Sequence, residues 1–168
     1  VDRVFDSYRN EVEARPEDED NGHLTQAEQL TRLCERELHE VFEDQFDEPH
    51  VVLPVDGHKE VYPTSDRRFR ELFLASRFRD IYGKPPGSEA LKQARVQVEA
   101  RASHSSSRRL HNRVAWHEGD ILYDLSTEDW RGIPINGYGW QVVGAPPIFR
   151  RHKHQAPQVV PQPGGGPW

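Results

Sequence analysis

Residues 120–143 read DILYDLSTEDWRGIPINGYGWQVV and contain two strand-forming runs that meet at the dipeptide Asn136-Gly137. Asn-Gly between alternating apolar residues is the strongest short-range signal for a two-residue β-hairpin. Upstream, the run LHNRVAWH of residues 110–117 reaches Asp120 through a Glu-Gly turn, so the period of two continues. This part of the chain therefore predicts an antiparallel meander of about four strands.

A second hairpin is predicted closer to the N-terminus. Residues 50–63 read HVVLPVDGHKEVYP, in which Asp56-Gly57 separates two apolar stretches. Asp-Gly is favoured in two-residue turns because both central residues adopt positive φ angles there. Two strands are expected on either side of this turn.

The first predicted helix precedes that hairpin. Thr25 and Glu28 form a capping box, in which each side chain accepts a hydrogen bond from a backbone N–H group that the helix leaves unpaired. An apolar stripe at helical spacing follows on one face, with Leu30, Leu33, Cys34, Leu38, Val41 and Phe42. The stripe is typical of a helix that packs against a core.

Two further helices are predicted after the first hairpin. One covers residues 65–83, with Ser65 as its N-cap and Gly83 as its C-terminal stop. The other begins at Ser88, after a Pro-Pro-Gly break. The predicted fold class is therefore α+β, with two to three helices packed with a β-hairpin and a C-terminal antiparallel meander.

The composition predicts one folded domain with polar ends. Residues 1–23 are acidic and expected to be mostly flexible, although Val4, Phe5, Tyr8 and Val12 recur at helical spacing. Residues 24–150 are assigned to one α+β domain. Residues 151–168 are basic and then rich in proline and glycine, which is typical of a linker.

Bulk properties exclude several classes of protein. A chain of 168 residues with 35% hydrophobic content and a mean hydropathy of -0.88 has no apolar run that could span a bilayer. No secretory signal pattern is present at the N-terminus, so a cytoplasmic location is expected. The sequence has no methionine, which suggests a segment cut from a longer polypeptide or a processed chain, and it is interpreted as a fragment. One cysteine, Cys34, cannot form a disulfide within the chain.

Charge is distributed unevenly along the chain. Residues 1–60 hold 6 Lys and Arg against 18 Asp and Glu, a net charge of -12, whereas residues 61–168 hold 16 against 10, a net +6. A basic C-terminal part is a candidate for phosphate contact, although a solvated surface explains the same residues. The candidate nucleic-acid-binding residues are Arg67, Arg70, Arg77, Arg108, Arg109, Arg113, Arg150, Arg151, Lys153 and Trp140.

No catalytic, metal or cofactor site is predicted. No GxxxxGK[ST] motif for a P-loop occurs, and Cys34 and His39 are not at the i+3 or i+4 spacing of residues that touch on a helix. His152 and His154 alternate with Arg151 and Lys153, whose charges disfavour a bound cation. We therefore expect neither a catalytic residue nor a cofactor in this chain.

The run RVAWHEGDILYDLSTEDWRGIPINGYGWQVVGAPPIFRR, residues 113–151, resembles a region of bacterial, phage and plasmid replication proteins of the primase-helicase-like ATPase type. The upstream run PVDGHKEVYPTSDRRFRELFLASRFRDIYGKPPGSEAL is similar to the part that precedes it, so the resemblance covers roughly residues 24–160. The residues that carry the C-terminal match are Arg113, Glu118 to Asp120, Ile121, Tyr123 to Leu125, Ile135, Gly139-Trp140, Val142-Val143 and Pro146 to Arg151.

In proteins of that type this region precedes a P-loop ATPase domain. The resemblance implies a non-catalytic, DNA-binding accessory domain of a mobile-element replication protein, with DNA and the neighbouring ATPase domain as partners and no membrane. It leaves open whether the parent protein also has primase activity. The alternative is a protein-interaction or assembly module that uses the apolar surface near the meander to orient the ATPase domain without contacting DNA.

Overall fold

A computed structural model describes residues 24–162 and 164 of the chain. The predicted acidic segment of residues 1–23, with its short helix, lies outside the described residues. The fold is α+β, as the sequence predicts, with helices, a three-stranded antiparallel sheet and a C-terminal antiparallel meander. No helix among the described residues combines the length and apolar character needed to cross a membrane.

The chain divides into two compact units, Val1–Arg109 and Leu110–Trp168, which we call the N-terminal and the C-terminal unit. The sequence had placed residues 24–150 in one domain. The division has a physical reason, because the helices and the first hairpin bury their apolar stripes in one core, whereas the meander has a small core of its own.

Helix α1 spans Gln26–Glu37 and begins with the predicted capping box. The Thr25 N–H donates to Glu28 Oε2 at 2.7 Å, and the Glu28 N–H donates to Thr25 Oγ1 at 3.3 Å. The helix is shorter than predicted, since the last two members of its predicted stripe, Val41 and Phe42, lie in a strand. Val41 and Phe42 are buried. A buried helix and a buried strand both need apolar residues at such positions, so the apolar character of this short run did not distinguish a helix from a strand.

The N-terminal sheet has three strands in the order β1-β2-β3. These are β1, Glu40–Glu43; β2, Pro49–Val55; and β3, His58–Pro63. The predicted turn joins β2 to β3, with φ angles of 45° at Asp56 and 81° at Gly57. The second hairpin is therefore confirmed, and β1 adds a strand that the sequence pattern had placed in a helix.

A helical segment follows β3, as predicted, but begins later. Its first part, Arg68–Ala75, is wound as a π-helix and continues into α2, Ser76–Tyr82. Asp66, rather than the predicted Ser65, accepts the N–H of Arg68 at 2.7 Å. The predicted stop is confirmed at Gly83, which has a φ of 71°.

Helix α3, Ser88–Ser103, completes the N-terminal unit. Helices and sheet enclose one core in which the largest side chains are aromatic. Phe69, Phe73 and Phe78 are at most 3% exposed. The strongly apolar face of the N-terminal sheet is therefore covered by helices from the same unit.

The C-terminal unit is a meander with short final strands. The strands are β4, Val114–His117; β5, Asp120–Asp124; β6, Arg131–Asn136; β7, Gly139–Trp140; and β8, Val143–Gly144. Strands β4 to β7 are neighbours in chain order, and β8 pairs with the other end of β6. The predicted C-terminal meander is therefore confirmed.

The first residues of the predicted linker are bound to this meander. Arg151 forms an ion pair with the buried Asp124, and the Gln158 N–H donates to the Leu125 carbonyl at 2.8 Å. Residues 151–158 thus belong structurally to the C-terminal unit. Composition alone did not reveal this, because the hydrogen bonds are made by individual side chains and backbone groups.

Candidate interaction surface

Four apolar side chains lie side by side across the C-terminal sheet. The register places Trp116 opposite Ile121, Ile121 opposite Ile135, and Ile135 opposite Trp140. Residues that lie directly opposite each other in antiparallel strands project to the same face. We call these four residues the aromatic row.

The aromatic row is open to solvent. Trp116 is 72% exposed, Trp140 45%, Ile121 44% and Ile135 42%. Since one tryptophan residue has up to about 250 Å² of surface, Trp116 and Trp140 together expose on the order of 300 Å². An apolar patch of that size is near the largest on a typical monomer, and such patches often mark interaction sites.

A second line of apolar residues extends this surface on the same face. Val114 pairs with Tyr123, and Tyr123 pairs with Ile133. Val114 is 53% exposed, while Tyr123 is half-buried and Ile133 is buried. The exposure of this line is thus concentrated at β4, the outermost strand of the sheet.

Acidic and neutral polar groups border the aromatic row at the hairpin ends. Glu118 is exposed in the β4–β5 turn, and Tyr138 is fully exposed in the β6–β7 turn. Asp120 belongs to the other face, because its register partner His117 alternates with Trp116, and both of its carboxylate oxygens accept hydrogen bonds from Asn136 Nδ2 at 3.2 Å. The row is therefore bordered at the β4–β5 turn by one exposed carboxylate, which repels phosphates.

The opposite face of the sheet is closed. Ala115 and Leu122 pack there with Ala145 and Phe149, all of which are buried. Strand β5 therefore alternates between an exposed Ile121 and a buried Leu122. Burial on one face only is usual for antiparallel sheets, but the exposed face then normally carries polar side chains.

An internal ion pair anchors the end of the meander. Asp124 is fully buried, and Arg151 donates to both of its carboxylate oxygens, with Nε at 3.1 Å from Oδ2. The Ser126 hydroxyl donates to the same carboxylate at 2.8 Å, and the guanidinium carbon lies 4.0 Å from the centre of the Trp130 ring. Arg151, which the sequence offered for phosphate contact, is thus held by an internal carboxylate.

Two predicted cations of the N-terminal unit are also paired within the fold. Arg77 donates to both carboxylate oxygens of Glu37, at 2.8 and 3.1 Å, and both side chains are only 15% exposed. Arg108 pairs with Glu40 and lies over the Phe42 ring. Their charges are therefore compensated locally.

The other predicted cations of that unit differ in environment. Arg67 is exposed, and its Nε donates to Glu71 at 2.5 Å. Arg70 is half-buried, with an Nε that has no hydrogen-bond partner among the described residues. Arg109 is exposed and has no ion-pair partner in the described part of the chain.

The remaining candidates lie in the C-terminal unit. Arg113 donates to the backbone carbonyls of Asp124 and Ala156, at 3.3 and 3.5 Å. Arg150 is half-buried, and Lys153 is exposed with no ion-pair partner between residues 24 and 162. Of the candidates, the structure places Trp140 in an apolar surface and pairs Arg67, Arg77, Arg108 and Arg151 with carboxylates.

Potential metal ligands come together at the β1–β2 turn, where the sequence predicted no site. Asp44, Glu48 and His50 offer ligand atoms within 4.8 Å of one another. Asp44 Oδ1 accepts the N–H groups of Phe46 and Glu48, at 2.8 and 3.1 Å. These bonds close the turn, so the carboxylate has a structural role without any ion. Acidic residues near a turn gave no distinctive signal in the sequence.

A chain of hydrogen bonds links three polar side chains of β3 to Arg68 in the following helical segment. His58 Nε2 contacts Glu60 Oε1 at 2.7 Å, the Tyr62 hydroxyl donates to Glu60, and Arg68 donates to the Tyr62 hydroxyl at 2.7 Å. Burial is the main reason that the pKa of Tyr62 lies above its usual value. The tyrosine therefore remains protonated and serves as a hydrogen-bond donor within the core.

The cysteine is not activated for nucleophilic chemistry. Cys34 is 1% exposed, and burial raises the pKa of its thiol to about 12. A nucleophilic cysteine needs a lowered pKa, which exposes a thiolate near neutral pH. The side chain packs in the core, as its position on the apolar stripe of α1 indicates.

Comparisons of this chain with protein-family models, with curated proteins and with solved structures find no match. Among the described residues, the aromatic row brings four exposed large apolar side chains together on one sheet face. Sequence reasoning found Trp140 but not the row, because alternation shows which residues share a face and not which face is covered. Trp130 does not belong to the row. It is 2% exposed and packs against Arg151, the ion-pair partner of the buried Asp124.

Proposed function

We propose that this chain is a non-catalytic docking module of a primase-helicase-like replication protein, and that its aromatic row binds the neighbouring P-loop ATPase domain. The in-register exposure of Trp116, Ile121, Ile135 and Trp140 carries the proposal. Tryptophan is enriched among residues that dominate binding energy at protein interfaces. The choice of partner comes from the sequence resemblance.

A protein partner fits the chemistry of this surface better than DNA does. Two isoleucines lie between the indole rings, and aliphatic side chains gain more from an apolar partner than from a sugar-phosphate backbone. Glu118, which is exposed at the β4–β5 turn beside the row, is acidic. Arg151 is held by an internal carboxylate in the same unit.

Isothermal titration of the 168-residue chain with the separately purified ATPase domain encoded by the same gene tests the proposal. Ile135→Lys places a charge in the centre of the row, and Tyr138→Lys places the same charge on a fully exposed residue outside it. We expect at least tenfold weaker binding for Ile135→Lys and little change for Tyr138→Lys, because a buried unpaired charge is costly.

Binding that is absent for the unchanged chain would overturn the proposal. Equal loss in both variants would also overturn it, since general electrostatics rather than the row would then account for the effect. Circular dichroism of each variant separates loss of binding from loss of folding.

DNA is the second candidate partner, favoured by a different observation. The exposed rings of Trp116 and Trp140 offer flat surfaces for stacking, and Lys153 is an exposed cation in the same unit. Stacking of one base on an aromatic side chain contributes about 1–3 kcal/mol in proteins that bind single strands.

Fluorescence anisotropy of labelled single-stranded and duplex oligonucleotides at about 50 mM salt tests this candidate. Binding that weakens steeply with salt, and that Trp140→Ala combined with Lys153→Ala reduces, supports DNA contact. No change in anisotropy excludes it and leaves protein docking as the function.

A further inference from the structure

Strand β4 forms an open edge of the C-terminal sheet. It is the terminal strand of its sheet and pairs only with β5 among the described residues. Val114 and Trp116 on this strand are 53% and 72% exposed, and the hydrogen bonds that residues 155 and 156 make next to it lie before its start, at the Asn112 carbonyl and the Arg113 side chain. Unpaired backbone groups on such an edge are a template for another strand.

The turn at the end of β4 determines which backbone groups point outward. Glu118 and Gly119 have φ angles of 52° and 93°, which is the geometry of a two-residue type I′ turn. His117 is then hydrogen-bonded across the hairpin, and alternation makes Ala115 the next residue bonded to β5. The carbonyl of Arg113 continues the pattern, since it accepts the N–H of Asp124 at 2.8 Å.

The intervening residues, Val114 and Trp116, therefore direct their N–H and C=O groups away from β5. Both also project their side chains to the face of the aromatic row. We propose that this edge binds the same edge of a second copy of the chain, so that two C-terminal sheets join through antiparallel β4 strands.

One register satisfies the backbone groups best. A twofold axis at Ala115 places Val114 of each copy opposite Trp116 of the other and forms four N–H···O=C bonds. Registers displaced by one residue either way about that axis keep only one such pair within β4. The chosen register also packs each indole beside a β-branched side chain, a favourable cross-strand pair.

Charge is complementary in this arrangement. Arg113 precedes β4, and Glu118, whose side chain is 86% exposed, follows it. Antiparallel pairing brings the Arg113 end of one copy beside the Glu118 end of the other, twice over. The edge thus attracts itself at both ends.

The strand is short, so the joined edges bury less than the roughly 1,200–2,000 Å² of a stable interface, and the dimer is weak and reversible. It uses the edge, where Trp116 gains a cross-strand neighbour, and leaves Ile121, Ile135 and Trp140 of the row uncovered. The two rows become parts of one wider apolar surface, which is compatible with docking of a partner but does not depend on it.

Sedimentation velocity of the 168-residue chain between about 10 μM and 1 mM tests the proposal. The expected result is a concentration-dependent monomer–dimer equilibrium. Val114→Pro removes an N–H that points outward and is not needed for the β4–β5 hairpin. We expect it to raise the dimer dissociation constant at least tenfold, whereas the control Val114→Thr, which keeps the N–H, changes it less than threefold.

Unchanged indole fluorescence confirms that Val114→Pro retains its fold. A variant that fails this check is replaced by Trp116→Lys, which alters the edge without a backbone change. A chain that stays monomeric at 1 mM, or a folded edge variant that dimerises as the unchanged chain does, overturns the proposal.

Charge reversal gives an independent readout of the register. Arg113→Glu and Glu118→Arg each create like charges at both ends and should weaken the dimer several-fold. Mixing the two variants pairs opposite charges again, so the mixture should associate more strongly than either variant alone. Failure of the mixture to do so overturns the antiparallel register. These experiments use no ATPase domain, so their outcome is independent of whether the proposed docking function is correct.

Discussion

The two units of this chain differ in how their sheet faces are covered. In the N-terminal unit, helices cover the apolar face of a three-stranded sheet and enclose a core that includes Phe69, Phe73 and Phe78. In the C-terminal unit, one sheet face packs on Phe149, while the other carries the aromatic row in solvent.

The order of elements along the chain explains this difference. Every described helix precedes residue 104, and the chain from Leu110 to residue 162 forms strands and loops. A sheet buries a face only when another layer packs on it. The C-terminal unit contributes no described helix for that layer, so the face that carries the aromatic row stays in solvent.

The sequence also provides a separate probe for each unit. All described helices belong to the N-terminal unit, and all tryptophans of the chain lie after residue 110. Ellipticity at 222 nm therefore reports mainly on the N-terminal unit, and indole fluorescence reports on the C-terminal unit. The comparison between the units can be tested with both probes in one unfolding experiment.

The largest effect is expected in the helix-covered core. Phe78 is fully buried against Tyr82, with ring centres 4.5 Å apart. Phe78→Ala should lower the free energy of unfolding of the N-terminal unit by about 3–5 kcal/mol, because the lost transfer energy adds to the cost of a cavity. Urea titration followed at 222 nm measures it. A loss below about 1 kcal/mol would mean that the helices do not seal this core.

The next effect tests whether the C-terminal unit depends on its internal ion pair. Asp124→Ala removes a fully buried carboxylate and leaves Arg151 without its partner. Breaking a buried pair in this way costs about 3–5 kcal/mol. We place the expected loss at the lower end, since Arg151 is 14% exposed. Urea titration followed by indole fluorescence checks it, with the exposed Asp129→Ala as control.

Local patterns predicted the elements of both units, but not what covers them. Asp56-Gly57 and Thr25 with Glu28 specify a turn and a cap through bonds between near neighbours, and both were correctly predicted. Val41 was wrongly placed in a helix, because a short apolar run fits a buried strand equally well. The ion pairs could not be foreseen, since Arg77 and Glu37 are 40 residues apart in sequence.

The same limit applies to the candidate surface. Once the register is known, the positions of Trp116 and Trp140 relative to their turns show that both side chains lie on the same sheet face. Exposure of that face depends on the absence of a covering layer, which is a property of the whole unit. Residue type alone therefore identified Trp140 as a candidate and missed Trp116, Ile121 and Ile135.

Two adjacent residues on β5 sharpen the contrast between the covered and the open face. Leu122→Ala should lower the stability of the C-terminal unit by about 2 kcal/mol or more, since this side chain is 4% exposed. Ile121→Ala should cost less than about 1 kcal/mol, because 44% of the residue is already in solvent. Urea titration followed by indole fluorescence measures both. Equal losses would show that the row is covered in solution.

The smallest expected effect is a pH-dependent contribution of Glu28 to the stability of the N-terminal unit alone. The N–H of Thr25 is the main reason that the pKa of Glu28 lies below its usual value. A carboxylate with a lowered pKa stabilises the folded state above its unfolded pKa of about 4.5, and that contribution is lost as the pH falls through the folded pKa. Glu28→Gln should therefore destabilise the N-terminal unit slightly at pH 7, and the difference from the unchanged chain should shrink as the pH falls below about 4.5, as urea titration at 222 nm measures. The capping box lies entirely within the N-terminal unit, so indole fluorescence should show no matching change. A difference that persists at low pH would mean that the carboxylate charge contributes nothing to the cap, and that the glutamate acts there only through its shape.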